Sequence, residues 1–139
     1  MARGKPTGYS GTPLAKKLGL KPGTRAVFVG APDHLDELLD PLPEDVTVLA
    51  RLGKELDYVH LFAPDLATLE RRLPACVRAM KRDGMLWISW PKKTSRLFVD
   101  VTGGDVREAG LAAGLVDTKV CAVDEDWSGH RFCYRVADR

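Results

Sequence analysis

The sequence predicts a three-layer α/β domain, built on a Rossmann-like, mostly parallel sheet of about six strands with an antiparallel hairpin at its C-terminal end. Three observations support this. Short aliphatic runs of strand length alternate with segments whose apolar residues recur every three or four positions. Residues 85–90, MLWISW, are almost continuously apolar, as expected of a central parallel strand covered on both faces. The last two strand-like runs are separated only by Asp126-Trp127-Ser128-Gly129, and so short a connection forces them to be antiparallel.

Residues 1–11, MARGKPTGYSG, are polar and glycine-rich and read as a loose tail ahead of one domain over residues 12–139. Thr12 before Pro13 resembles a cap with proline at the first helical position, opening a short helix over residues 14–18 that Gly19 stops. Lys21-Pro22-Gly23 turns the chain into a first strand over residues 25–29, ending at Gly30. Asp33 is placed to cap a short helix over residues 34–39, and Pro41 and Pro43 break the chain before a second strand at 46–52. The third strand, residues 56–63, carries Tyr58, Val59, Leu61 and Phe62 and stops at Pro64. Asp65 then caps a helix reaching about residue 81, with Leu66, Leu69, Leu73, Val77 and Met80 drawing its apolar stripe. Pro74 inside that stripe predicts a kink or a break. Gly84 ends this region, and residues 85–90 form the fourth strand. After the basic loop at 92–96 and an indeterminate stretch at 97–101, Thr102, Gly103 or Gly104 opens a last helix over residues 105–113, which Gly114 stops. Residues 115–124 and 130–136 are the final strands, the first parallel to the others and the second antiparallel.

A chain of 139 residues has single-domain size and buries about two-thirds of the surface that its unfolded form exposes. No apolar run approaches the ~20 residues of a membrane-spanning helix, and no apolar stretch follows the basic residues at the start, so a cytoplasmic protein is expected. Twenty-one basic residues against nineteen acidic give a formal charge of +2, so nucleic acid is not indicated. Cys76, Cys121 and Cys133 form no metal-ligand spacing and are expected as buried thiols, with Cys121 and Cys133 near neighbours across the hairpin but without a disulfide. His60 lies inside one strand and His130 begins another, and no metal site is expected.

In open parallel sheets ligands bind outside the carboxyl ends of the strands. The loops carrying Gly30, Asp33 and His34, then Arg51, then Lys92, Lys93 and Ser95, and the turn with Trp127 and Ser128 should meet at that edge, and Tyr9–Thr12 can cover it. Lys92, Lys93, Ser95 and Arg51 have the donors for a phosphate or carboxylate, although adjacent loop lysines often simply stay solvated. Trp127 can stack on a planar ligand, contact a partner, or pack on the hairpin or the leading segment. Asp33 and His34 can act as an acid/base pair or merely cap a helix.

The architecture over roughly residues 25–136 resembles a shortened core of the S-adenosylmethionine-dependent methyltransferases. That resemblance implies a glycine-rich loop after the first strand and an acid at the end of the second, contacting the cofactor's ribose. Here the loop reads Gly30-Ala31-Pro32-Asp33-His34 and Arg51 stands near the acid's place, which disfavours S-adenosylmethionine. No dinucleotide fingerprint or P-loop is present either. The strings GTPLAKKLGLKPG, LWISWPKK and GLAAGLVDTKVCAVDEDWSGHRF resemble a bacterial family known as domain of unknown function 3052, which implies no activity. With no catalytic signature, the expectation is a non-catalytic module binding a small anion or a protein partner at the carboxyl edge. The alternatives are a divergent methyltransferase-like enzyme and a structural interaction domain.

Overall fold

Two strands so apolar that they need cover on both faces must lie at the centre of a sheet, and the arrangement follows from that. The structure is a computed structural model and describes residues 13–139; the cap expected at Thr12 and the cover expected from Tyr9–Thr12 lie outside the described residues. Its six strands are β1 (Arg25–Val29), β2 (Thr47–Leu49), β3 (Leu56–Phe62), β4 (Met80–Pro91), β5 (Leu115–Ala122) and β6 (Trp127–Tyr134). They stand in the order β2-β1-β3-β4-β6-β5. β2, β1, β3 and β4 are parallel neighbours, and β6 inserts antiparallel between β4 and β5. β5 therefore runs parallel to the first four, as the sequence predicted.

Side chains alternate across the sheet and divide the core in two. On one face α1 (Leu14–Lys17) and α2 (Leu35–Leu39) cover Ala26, Tyr58, Phe62, Trp87 and Trp127. On the other, α3 (Leu66–Ala79) and α4 (Gly103–Ala112) cover Val27, Val59, Leu61, Leu86, Ile88 and Phe132. The first face relies on two helices of only four and five residues, too short to hold position by themselves. α1 is pinned instead: the Trp87 indole N–H donates to the Leu18 carbonyl at 2.7 Å, inside the core.

A buried polar chain runs through that face. The Tyr58 hydroxyl lies 2.8 Å from His60 Nδ1, and His60 Nε2 lies 2.7 Å from Ser89 Oγ. All three residues are fully buried, and the imidazole stacks on Phe62. Because each nitrogen already has a partner, the ring is satisfied in its neutral form. Burial pushes its pKa down to about 3.

Several element limits differ from the sequence reading. α1 opens at Leu14 with Pro13 itself as the cap residue, and α2 opens at Leu35 with His34 in that position; Asp33 makes no cap bond. β2 keeps only three residues of the seven expected, because as an edge strand it pairs on one side alone. α3 runs unbroken past Pro74, which faces solvent, so water can take the Glu70 carbonyl that the proline cannot. β4 begins at Met80 rather than Met85. A bulge takes the pairing from Leu56 with Met80 to Tyr58 with Met85, and Gly84 fits there since a Cβ would sit 2.8 Å from the Leu56 carbonyl oxygen. Asp65 caps α3 as predicted, and Thr102 and Asp105 form a reciprocal capping box on α4. Cys121 pairs with Gly129 and Cys133 with Val116, so the two thiols are offset along the hairpin rather than opposed.

Two outcomes follow. The unfolded chain protonates His60 near pH 6.5 and the folded chain only near 3, so between those values the unfolded state binds more protons. The His60 contribution is complete above pH 6.5 and falls by about 1.4 kcal/mol per pH unit on acidification toward 3; urea midpoints measured from pH 7 to 4 will show this slope, and His60→Gln will flatten it. Separately, a Cβ on Gly110 would fall within the Phe132 ring. Gly110→Ala should therefore destabilise by about 1–3 kcal/mol in the same assay, despite alanine's better helix propensity.

Candidate functional site

The carboxyl edge is organised by a residue that the sequence reading did not single out. Asp124, at the turn between β5 and β6, is buried. Its Oδ1 accepts from the backbone N–H groups of Asp126 and Trp127, both at 2.8 Å. Its Oδ2 lies 2.8 Å from Nε2 of His34, which comes from the loop after β1. Its backbone carbonyl accepts from Lys92 Nζ at 2.8 Å, and Lys92 belongs to the loop after β4. The Lys92 backbone N–H also donates to the Asp126 carbonyl, and Ser95 Oγ donates to Asp126 Oδ1 at 2.8 Å. Two loops from separate parts of the chain, those after β1 and β4, thus close on one turn. The sequence signal was Asp124 at the head of Asp124-Glu125-Asp126, since an aspartate opening a turn commonly accepts from N–H groups two and three residues on.

The predicted edge residues fare differently. His34, Lys92 and Ser95 meet, but toward the Asp124–Asp126 turn, so their polar groups are already engaged. Asp33 is exposed and makes no pair with His34, which has Asp124 instead. Gly30 adopts φ +71, where an added Cβ would meet the Phe62 carbonyl oxygen at 3.1 Å, so its glycine has a backbone reason. Arg51 and Lys93 are exposed and take no hydrogen bond or ion pair among the described residues.

Trp127 and Ser128 correct the sequence reading of a four-residue turn. Both belong to β6, where Trp127 pairs with Pro91 and Ser128 with Trp90. Trp127 is buried with its ring edge-on to Phe62 at 5.3 Å, so it offers no face to a planar ligand. The turn shifts back because Asp124 supplies the acceptor that closes it, and the Val123 and Asp124 N–H groups then bond the Trp127 carbonyl.

Two other surfaces adjoin the edge. Beyond Ser95, exposed Arg96, Leu97 and Val99 continue the basic loop from Lys93, with Val99 61% exposed. Beside α2 lies an open groove of about 390 Å³, floored by Phe28, Leu35, Leu39 and Val48 and rimmed by Asp33, Asp36 and Asp40. Among the described residues no group of three histidine, cysteine or acidic side chains is arranged to hold a metal ion, and no helix is long and apolar enough to cross a membrane. Burial raises the Cys121 thiol pKa, and it pushes the Cys76 thiol up to about 11, so neither is an activated nucleophile.

The comparisons agree with this picture of the fold. A family model described as protein of unknown function, DUF3052, matches residues 15–136, and the chain belongs to that family. No curated protein matches. Among solved structures the chain is similar to a SAM-dependent methyltransferase from Aquifex aeolicus, at 17% identity over 86% of each chain and a TM-score of 0.59. It is also similar to a TehB-like SAM-dependent methyltransferase from Corynebacterium glutamicum, at 12% identity over 88% of this chain and 85% of that one, with a TM-score of 0.56. A third is the fibrillarin pre-rRNA processing protein of Methanococcus jannaschii, at 12% identity over 87% of this chain and 73% of that one, with a TM-score of 0.53. The fold is that of a methyltransferase-like Rossmann domain.

Asp124→Ala leaves two backbone donors without an acceptor, one of them the buried N–H of Trp127, and should cost about 2–4 kcal/mol in urea unfolding. His34→Ala removes a half-exposed partner only and should cost about 1 kcal/mol or less.

Proposed function

Starting from a family defined without a function, we propose that this chain is a non-catalytic interaction module on a methyltransferase-type scaffold. It engages its partner through the loop that follows β4. The observation that carries this reading is the mutual engagement of the edge: His34, Lys92 and Ser95 are bonded to the Asp124–Asp126 turn across the ends of β3 and β4. On this scaffold that is where a ligand would lie.

The residues present do not fit S-adenosylmethionine. The loop after β1 has a single glycine, Gly30, followed by Ala31 and Pro32, and the His34 to Asp124 bond spans the space beyond it. After β2 stands Arg51, a cation where a cationic cofactor would need an acceptor. The small-anion form of the reading is weakened, because the ammonium of Lys92 is turned to the Asp124 carbonyl and the hydroxyl of Ser95 donates to Asp126. Without a hydrogen bond or ion pair among the described residues are Lys93 and Arg96 beside Leu97 and Val99, two cations next to two exposed apolar side chains. That combination suits a protein surface presenting carboxylates beside apolar residues, with affinity that falls as salt rises.

Calorimetry should give no binding heat with S-adenosylmethionine or its demethylated product; saturable heat with either would overturn the reading. Affinity capture under matched conditions should retain a partner on the wild-type protein that Lys93→Glu with Arg96→Glu releases, with thermal stability unchanged. Equal retention by both proteins would remove the loop from the interface.

A further inference from the structure

The groove beside α2 is acidic and apolar, and the loop after β4 is basic and apolar. The groove exists because α2 has five residues, about 7.5 Å of helix, and does not reach across the face of β2. Val48, in register with Ala26 on that face, is left 50% exposed, and Leu42, after α2, 39%. Asp33, Asp36 and Asp40 line the groove and no lysine or arginine does. None of the three makes an ion pair or hydrogen bond among the described residues. β2 is also an edge strand, and an open edge beside an apolar face templates association. The occupant that matches presents cations beside apolar side chains and carries no acid among them.

The loop after β4 has that chemistry and is already shaped as a knob. It is tied at both ends: Ser95 Oγ donates to Asp126 and accepts from the Leu97 N–H, and Asp100 Oδ1 accepts at 2.8 Å from the N–H of Leu66, the first residue of α3. The Phe98 N–H closes on the Ser95 carbonyl. Lys93, Arg96, Leu97 and Val99 are exposed along it, and residues 92–99 include no aspartate or glutamate. A segment already held in one shape loses little freedom on binding. The tie to α3 also holds the knob away from its own groove. α3 covers the opposite face of the sheet from α2, and β1 and β3 separate β4 from β2, a span of about 14 Å. A knob fixed there does not turn into the groove of its own molecule.

We propose that the loop after β4 of one molecule docks in the groove beside α2 of a second copy, with Lys93 and Arg96 against Asp33, Asp36 and Asp40 and with Leu97 and Val99 over Leu42 and Val48. In this contact, which rests on that loop being the interaction surface, the partner is the same chain. Knob and groove are different patches, so the copies meet head to tail. Sedimentation of the full chain over a rising concentration series should show self-association that weakens as salt rises. Lys93→Glu with Arg96→Glu should raise the dissociation constant ~10-fold or more, and so should Asp36→Lys with Asp40→Lys. The first variant has an acidic knob and an acidic groove, the second a basic knob and a basic groove. Neither should assemble alone, and an equal mixture of the two should assemble again, a rescue that a folding defect would not give. The seat is read with a water-soluble carbodiimide, which activates a carboxylate so that an amine in contact with it forms an amide, the reagent leaving as its urea. In an equal mixture of ¹⁴N- and ¹⁵N-labelled wild-type protein, mass spectrometry should find Lys93 linked to Asp33, Asp36 or Asp40 in mixed-isotope pairs. A wild-type protein that stays monomeric, a mixture of variants that fails to assemble, or Lys93 links confined to other carboxylates would each overturn the proposal. Association lost with the loop variant alone overturns the groove as the seat and leaves the loop as the interaction surface. Association unchanged in the loop variant overturns both.

Discussion

The carboxylate of Asp124 is the constraint on which the working edge of this domain depends. A buried carboxylate is tolerated only when it is well hydrogen-bonded, and this one accepts from two backbone N–H groups and contacts one imidazole nitrogen. Those bonds fix the turn, and the turn sets where β6 begins. With β6 beginning at Trp127, the indole is drawn into the core beside Phe62, and the backbone that follows can pair with β4. His34 and Lys92 then fasten the loops after β1 and β4 to the same point. Where related scaffolds are similar in fold, this one uses its edge side chains to hold its own loops.

The two faces of the sheet are stabilised in different ways. The face under α3 and α4 is an ordinary aliphatic core, with one close approach where Gly110 lets Phe132 lie against the helix. The opposite face has less helix to work with and compensates with aromatic volume and directed polar bonds. Tyr58, His60 and Ser89 form a satisfied chain, and Trp87 reaches Leu18. Such a chain rigidifies when complete and is costly when broken, because each member would be left without a partner in a dry interior.

Much of the fold was legible because its strongest signals are local. The apolar run at the heart of β4, the caps at Asp65 and Thr102, and the short hairpin each depend on a few adjacent residues. What was not legible depends on contacts far apart in the chain. Asp33 looked like a cap, yet His34 took that position because its ring reaches Asp124, ninety residues away. Trp127 was placed in the connection Asp126-Trp127-Ser128-Gly129, whereas the turn is closed earlier, by Asp124. At the candidate edge the loops were expected to offer Lys92 and Ser95 to a ligand, and in the structure both bond an acidic turn of the same chain.

The place of β6 in the sheet has a consequence for how the molecule is made. β5 touches the rest of the sheet only through β6, which is synthesised after it and slots between β4 and β5. While a ribosome is still short of residues 127–134, β4 has an open flank and β5 has nothing to pair with. The first four strands can gather as they emerge, but the far side of the domain closes late, with pairings that span much of the chain. During that interval the apolar flank of β4 is what a chaperone would meet. A premature stop before Trp127 would therefore do more than shorten the sheet by one strand: it would strand β5 and leave the β4 edge, with Leu86, Ile88 and Trp90, unpaired.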